Sequence, residues 1–401
     1  MQKIKVTLVL LLVFSIVLSM GLTAAAATTG VKIMLDGKEL ASDQEPRFES
    51  DYTLVPIRVI AEALGGEVGY NNATKQVTVT TADHTMAFKV DSKTATVDGK
   101  SATMDVPLRG FGGRTFVPIS FISRNLGAEI SYSNSIKTVT ITYFSNMSGS
   151  LKLGGSSTIY PPATAAADAL MKKNSGLSVT VAEGGSGAGI TGAADGTFNI
   201  GNASQDLSSS QKTTYPDLVQ TQIGNDAVAI IVHKNNKLKN LTKQQVYDIF
   251  TGATTNWKDV GGADGAIFVQ TRESTSGTLD CLNKTAIQTI SKEGKVTETA
   301  TPHNSTGLLL QAVKDNENAI GFISMGYVDD TINAVSIDNI LCTYNNAFYG
   351  VWPYTRHLNM ITKGMPTGLA AKFINYLRSP EGQKILTDEH YLPLFDKYLP
   401  K

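Results

Sequence analysis

Residues 271–281 read TRESTSGTLDC: an arginine, a cluster of hydroxyl side chains and one glycine, followed by LNKTAIQTI, whose pattern predicts a helix. A guanidinium offers a planar fork of donors that fits an oxyanion. A helix start adds unpaired backbone N–H groups and the positive end of a dipole, and glycine lets a ligand approach the backbone. Two other stretches share the layout of strand end, small and hydroxyl residues, then helix: GGSSTIYP (154–161) and GGSGAG (184–189). Ser and Thr are the preferred N-caps, so one such stretch alone reads as a cap. Three in one domain, one of them with Arg272, point to convergence on an anion. A serine nucleophile would need a base, and no His or Lys lies in these stretches, leaving only the distant His303 and His357. Binding rather than hydrolysis is the expectation.

The elements that must carry these loops begin near residue 150. SLKLGGS leads into YPPATAAADALMKKN, LSVTVAEGGSG into a short helix through AGITGAADG, and NIGNAS ends another strand. DAVAIIVHK, AIFVQTR and ENAIGFISMGYV read as strands, TKQQVYDIFTG as a capped helix, and GLAAKFINYLRSPEGQKIL as two amphipathic helices parted at Ser379-Pro380. Strands alternating with helices predict an α/β domain with a largely parallel sheet.

Ahead of it lies an internal repeat. TLVPIRVIAEALGGEVGYNNATKQVTVT (53–80) aligns without gaps on TFVPISFISRNLGAEISYSNSIKTVTIT (115–142), an offset of 62 residues. Each unit predicts a short helix stopped at a Leu-Gly pair, then a hairpin, which makes residues 30–145 an α+β repeat domain. FSNMSGS (144–150) is the polar bridge to the α/β part. The repeat resembles the copper amine oxidase N-terminal-like domain of secreted bacterial proteins. No copper chemistry follows, because His84 is the only histidine in this segment. The Asn-Tyr-Asp/Glu signature of amine oxidases is missing too, since Asn375-Tyr376 is followed by Leu377. An interaction or spacer module is expected.

The whole chain sets further bounds. Its 35 basic and 35 acidic side chains cancel, which disfavours nucleic acid or an anionic membrane surface as a partner. Five scattered His and two Cys lack ligand spacing, so neither metal nor cofactor is expected. MQKIKVTLVLLLVFSIVLSMGLTAAAATTG has the charged, apolar and small-residue order of a signal peptide over residues 1–27, with an uncleaved anchor helix as the rival reading. No cysteine near the cleavage region provides for a lipid anchor, so an exported protein, extracellular or associated with the cell envelope, is expected. Whether Cys281 and Cys342 pair stays open.

GSSTIYP, EGGSGAGI, DIFTGATTNWKDVGG, TRESTSGTLD, NAIGFISMGYV and GLAAKFINYLRSPEGQKIL occur in the order seen in the periplasmic-type phosphate-binding proteins of ABC importers. From residue 150 to the C-terminus the chain resembles that family. The resemblance implies an α/β, two-lobed type II periplasmic-binding-protein fold over 150–401. Lobe one would be 150–228 plus 325–401, lobe two 229–324, and the hinge strands DAVAIIVHK and AIGFISMG. It implies inorganic phosphate as ligand, an ABC permease as partner and no catalysis. Ser157, Thr158, Ser186 and Ser204 would donate from one lobe, and Arg272, Ser276, Gly277 and Thr278 from the other. Many members carry an aspartate where this chain has Ser204, with Asp206 two residues on, and Ser274 and Thr275 also depart from some members. Another tetrahedral oxyanion is therefore the nearest rival ligand. A secreted phosphate sensor or surface adhesin on the same fold is the rival function, and the N-terminal domain is a candidate to hold the protein at a cell-envelope component. Trp257 and Trp352 are expected in a core or on a lobe surface, and Arg356 in a structural ion pair.

Overall fold

The computed structural model describes residues 30–399, so the signal peptide expected at residues 1–27 lies outside the described residues. The two repeats fold alike. Strand Tyr52–Pro56, helix Ile57–Ala63 and strands Glu67–Asn71 and Gln76–Thr80 form the first unit. Arg114–Pro118, Ile119–Leu126, Glu129–Ser133 and Thr138–Thr142 form the second. The leading strands pair antiparallel with Val55 opposite Val117, the same position in each unit, so a pseudo-twofold passes between them. Both hairpin turns place their lysine in the left-handed region, Lys75 at φ 51° and Lys137 at φ 46°. The units differ in their neighbours. The first hairpin extends into a five-stranded meander, and the second pairs in parallel with the N-terminal strand Lys32–Leu35.

The α/β part holds one mixed sheet of nine strands. Within each lobe the local strands run parallel, as βαβ units require: Ser148–Ser156 beside Gly176–Gly184, and Phe268–Arg272 beside Ala319–Ser324. The antiparallel pairs come from the strands that travel between lobes, which the expectation of a largely parallel sheet left out. Leu218–His233 pairs with Thr355–Lys363 as far as Ala227, then with Ala319–Ser324 from Val228 onward.

The return to lobe one comes later than the resemblance placed it. Met325, Val335, Ile337, Trp352 and Tyr354 pack in the lobe-two core. Ile332–Ala334 adds to the outgoing strand, and Ser336–Ile337 pairs with Asn240–Leu241. Residues 325–354 therefore belong with lobe two, and Thr355–Lys363 rather than AIGFISMG is the second crossing strand. Ala319–Ser324 is buried throughout, so its apolar run reads the same in a lobe core or at a crossing.

The repeat domain is welded to lobe one. One apolar cluster runs from Ile33 and Val139 through Leu151 and Ala166 to Phe373 and Tyr376. Helix Gly368–Arg378 is the contact: Asn375 Oδ1 accepts from Ala82 N at 2.8 Å, and its Nδ2 donates to Asp83 Oδ1 at 3.0 Å and Tyr143 Oη at 2.9 Å. The Phe144 and Tyr376 rings meet edge to face at 5.2 Å. Gly65, at φ +82°, lies so close to the Asn375 carbonyl that a Cβ there would overlap it.

Candidate anion-binding site

The three loops meet where the lobes face each other. Gly154 to Ser156 ends a central strand, and Ser157 and Thr158 follow it into helix Tyr160–Lys173. Ser186 opens helix Ser186–Asp195, and Ser204 follows strand Ile200–Ala203. From lobe two, Arg272 ends its strand, Ser276 caps helix Gly277–Leu282, and Thr278 lies in that helix's first turn. All eight residues singled out from the sequence are buried here, and the seven with side chains are at most 3% exposed.

Arg272 is wired into lobe two and reaches lobe one through Thr306. Its Nε donates to Glu273 Oε2 and to the His303 carbonyl, both at 3.0 Å, and Nη1 donates to Thr306 Oγ1 at 3.0 Å. Thr306 Oγ1 is 3.0 Å from Ser157 Oγ, and the Thr306 N–H donates to that oxygen at 3.2 Å, which links lobe two to lobe one. Burial, opposed by Glu273, pushes the Arg272 pKa down from its ordinary value. At the other corner Ser204 Oγ accepts from Ser156 Oγ at 2.9 Å and lies 3.2 Å from Ser186 Oγ. Gly277 is pressed against this pair: a Cβ there would lie 2.5 Å from Ser186 Oγ and 2.7 Å from Ser204 Oγ, so only glycine fits. The Gly187 N–H crosses to the Thr275 carbonyl at 3.0 Å.

Ser276 does literally what an N-cap does, accepting from the Thr278 and Leu279 N–H groups. Asp206, two residues past Ser204, is turned to His357, Asn359 and Gln220 instead of the hydroxyls. The two distant histidines are likewise engaged elsewhere. His303 Nε2 pairs with Gln270 Oε1 at 2.9 Å, and His357 Nδ1 with Asp206 at 3.0 Å. Burial, then the nearby Arg272 charge, pushes His303 below its ordinary pKa. Cys281 and Cys342 are both free thiols, and burial raises the Cys281 pKa to about 11. Trp257 and Trp352 are core residues.

The sequence reading missed two members of the cluster. Thr306 opens helix Thr306–Lys314 in HNSTGLLL, a stretch that reads as an ordinary cap. Arg356 does form the expected ion pair, with Asp226 at 2.7 Å, and it also donates at 2.9 Å to the hydroxyls of Thr278 and Thr158.

A family model described as a PBP superfamily domain matches residues 144–381, and one described as a copper amine oxidase N-terminal domain matches residues 34–141. The phosphate-binding protein PstS of Bacillus subtilis is 33% identical over 251 residues, 62% of this chain and 82% of that protein. The chain belongs to the PstS-like family of phosphate-binding proteins. Its fold is that family's two-lobed α/β architecture, joined to a copper amine oxidase N-terminal domain. A Clostridium perfringens crystal structure, named as a phosphate ABC transporter substrate-binding protein with bound phosphate, is 35% identical with a TM-score of 0.58. It is matched over its whole length by 62% of this chain. An ABC-type phosphate transport receptor from Vibrio cholerae is 29% identical with a TM-score of 0.51, over 60% of this chain and 99% of that one.

Proposed function

We propose that this protein captures inorganic phosphate between its lobes and delivers it to an ABC permease, without catalysing a reaction. The observation that carries the reading is the buried cluster in which Arg272 donates to Thr306, whose hydroxyl meets Ser157 of lobe one, beside the tip of helix Gly277–Leu282. Ser157, Thr158, Ser186, Ser204, Arg272, Ser276, Gly277 and Thr278 form the proposed ligand set, with Thr306 added. Each buried guanidinium already faces a carboxylate, Arg272 with Glu273 and Arg356 with Asp226. Recognition therefore leans on oriented hydroxyl and N–H dipoles, which replace the hydration of the anion when the lobes close. Since both candidate histidine bases are turned to Gln270 and Asp206, the serines act as donors, not nucleophiles.

Titration calorimetry with phosphate and sulfate at pH 6 and pH 8 tests the reading. Tight phosphate binding supports it, and no heat from phosphate overturns it. A second reading, capture of another tetrahedral oxyanion, draws on Ser204, whose neighbours are the hydroxyls of Ser156 and Ser186 and not a carboxylate that could accept from P–OH. Preference for sulfate would select it.

The signal-like N-terminus supports export, and the repeat domain is the proposed means of holding the protein at the cell envelope. Fractionation of cells making the full chain or a version lacking residues 30–145 checks this, with phosphate binding as the folding control. Unchanged wall association removes the role.

A further inference from the structure

The second guanidinium of the cleft is held more firmly than an isolated ion pair requires. Arg356 and Asp226 face each other across the two crossing strands. Asp226 Oδ2 accepts from Arg356 Nε at 2.9 Å and Nη2 at 2.7 Å, and Oδ1 accepts from Ser324 Oγ at 2.7 Å. Three strands thus fix the pair, and with the Asp226 side chain fully buried and that of Arg356 4% exposed, the fork has no room to swing. Two of its three remaining donors go one to each lobe, Nη2 to Thr158 Oγ1 and Nη1 to Thr278 Oγ1.

A threonine hydroxyl has one proton, and a guanidinium can only donate. A hydroxyl that accepts from Arg356 must turn its own proton elsewhere. The two oxygens stand 3.5 Å apart, and at most one of their protons can serve the contact between them. The other is left for an anion lying between the loops. The same fork reaches both hydroxyls only while the lobes are together, because it is anchored at the crossing and Thr158 and Thr278 ride on opposite lobes. Separation takes at least one of these acceptors out of the fork's reach and exchanges an oriented buried bond for water.

Building on the phosphate-capture reading, we propose that Arg356 is a positioning residue that couples lobe closure to hydroxyl orientation: pinned by Asp226, it fixes Thr158 and Thr278 as donors and latches the closed cleft. Wild-type protein is measured first, by calorimetry and by chase of bound radiolabelled phosphate. Arg356→Lys, whose single ammonium cannot serve Asp226 and both hydroxyls, is expected to weaken binding about 10- to 100-fold. The loss should lie in faster dissociation, with association nearly unchanged. Thr158→Val and Thr278→Val should each weaken phosphate binding in the wild-type background and cost much less beside Arg356→Lys. If circular dichroism shows Arg356→Lys misfolded, Arg356→Gln takes its place in the same cycle. A folded variant with unchanged dissociation, or losses that simply add, overturns the proposal. Wild-type protein that fails to bind phosphate overturns the capture reading instead, before any variant is made.

Discussion

Lobe one carries polar residues into buried contacts at two places, and the two are built differently. At the cleft the partners are mostly hydroxyls facing hydroxyls, such as Ser156, Ser186 and Ser204, or Ser157 and Thr306. A hydroxyl can rotate and exchange one partner for another. At the face that meets the repeat domain the polar groups are amides bound to fixed partners. Asn375 holds Ala82 N, Asp83 and Tyr143, while Asn174 holds Met147 N and the carbonyls of Phe144 and Leu170. Continuous apolar packing surrounds them. The first contact suits repeated opening, the second permanence. Composition alone does not separate them; partner geometry does.

The comparison breaks if variants at one contact behave like those at the other. Arg272→Ala should raise the phosphate Kd about 100-fold or more, because one free guanidinium N–H and the group that orients Thr306 are lost together from a buried site. Its melting temperature without phosphate should change little, and calorimetry with thermal scanning reads both.

Gly65→Ala should do the reverse. It forces a Cβ against the Asn375 backbone at φ +82°, destabilising by about 3 kcal/mol with phosphate affinity unchanged. The repeat provides its own control. Gly127 occupies the equivalent position at φ +67° with nothing within 4 Å of a built Cβ, so Gly127→Ala should cost only about 1 kcal/mol. Equal losses in denaturant titrations would mean that docking onto lobe one is not what makes Gly65 special.

Asn375→Ala should cost about 2 kcal/mol, since the buried Ala82 N–H loses its acceptor, again without touching affinity. Glu49→Gln, far from both contacts, should have the smallest effect. The Arg109 fork bonds the Glu49 carboxylate and holds it below its ordinary pKa. Its contribution is present above the unfolded value near pH ~4.3 and disappears as pH falls through the lower folded value. The gap in melting temperature between wild type and variant should therefore close toward acid pH, and a gap that persists would mean the pair contributes nothing through charge.

The helix and hairpin of each repeat were legible because alternation and Leu-Gly stops are local signals, whereas the leading strands Tyr52–Pro56 and Arg114–Pro118 were not read. The three loops of the candidate site could be picked out because they share one layout. What escaped depends on distant partners. Nothing local marks Asp226, at the head of an apolar strand, as the partner of Arg356. Asn375 sits on an amphipathic helix, where polar residues ordinarily face water. Ile332–Ala334 and Ser336–Ile337 are too short to read as strands, so the chain seemed to leave lobe two some thirty residues early.

The fixed docking of the repeat domain has a mechanical consequence. A clamp bolted to a bench by one jaw has only its other jaw free to travel, and the direction in which it opens is set by the bolt. Anything that grips the repeat domain grips lobe one through Asn375 and Gly65. It thereby fixes where the mouth of the cleft points and leaves lobe two as the part that swings.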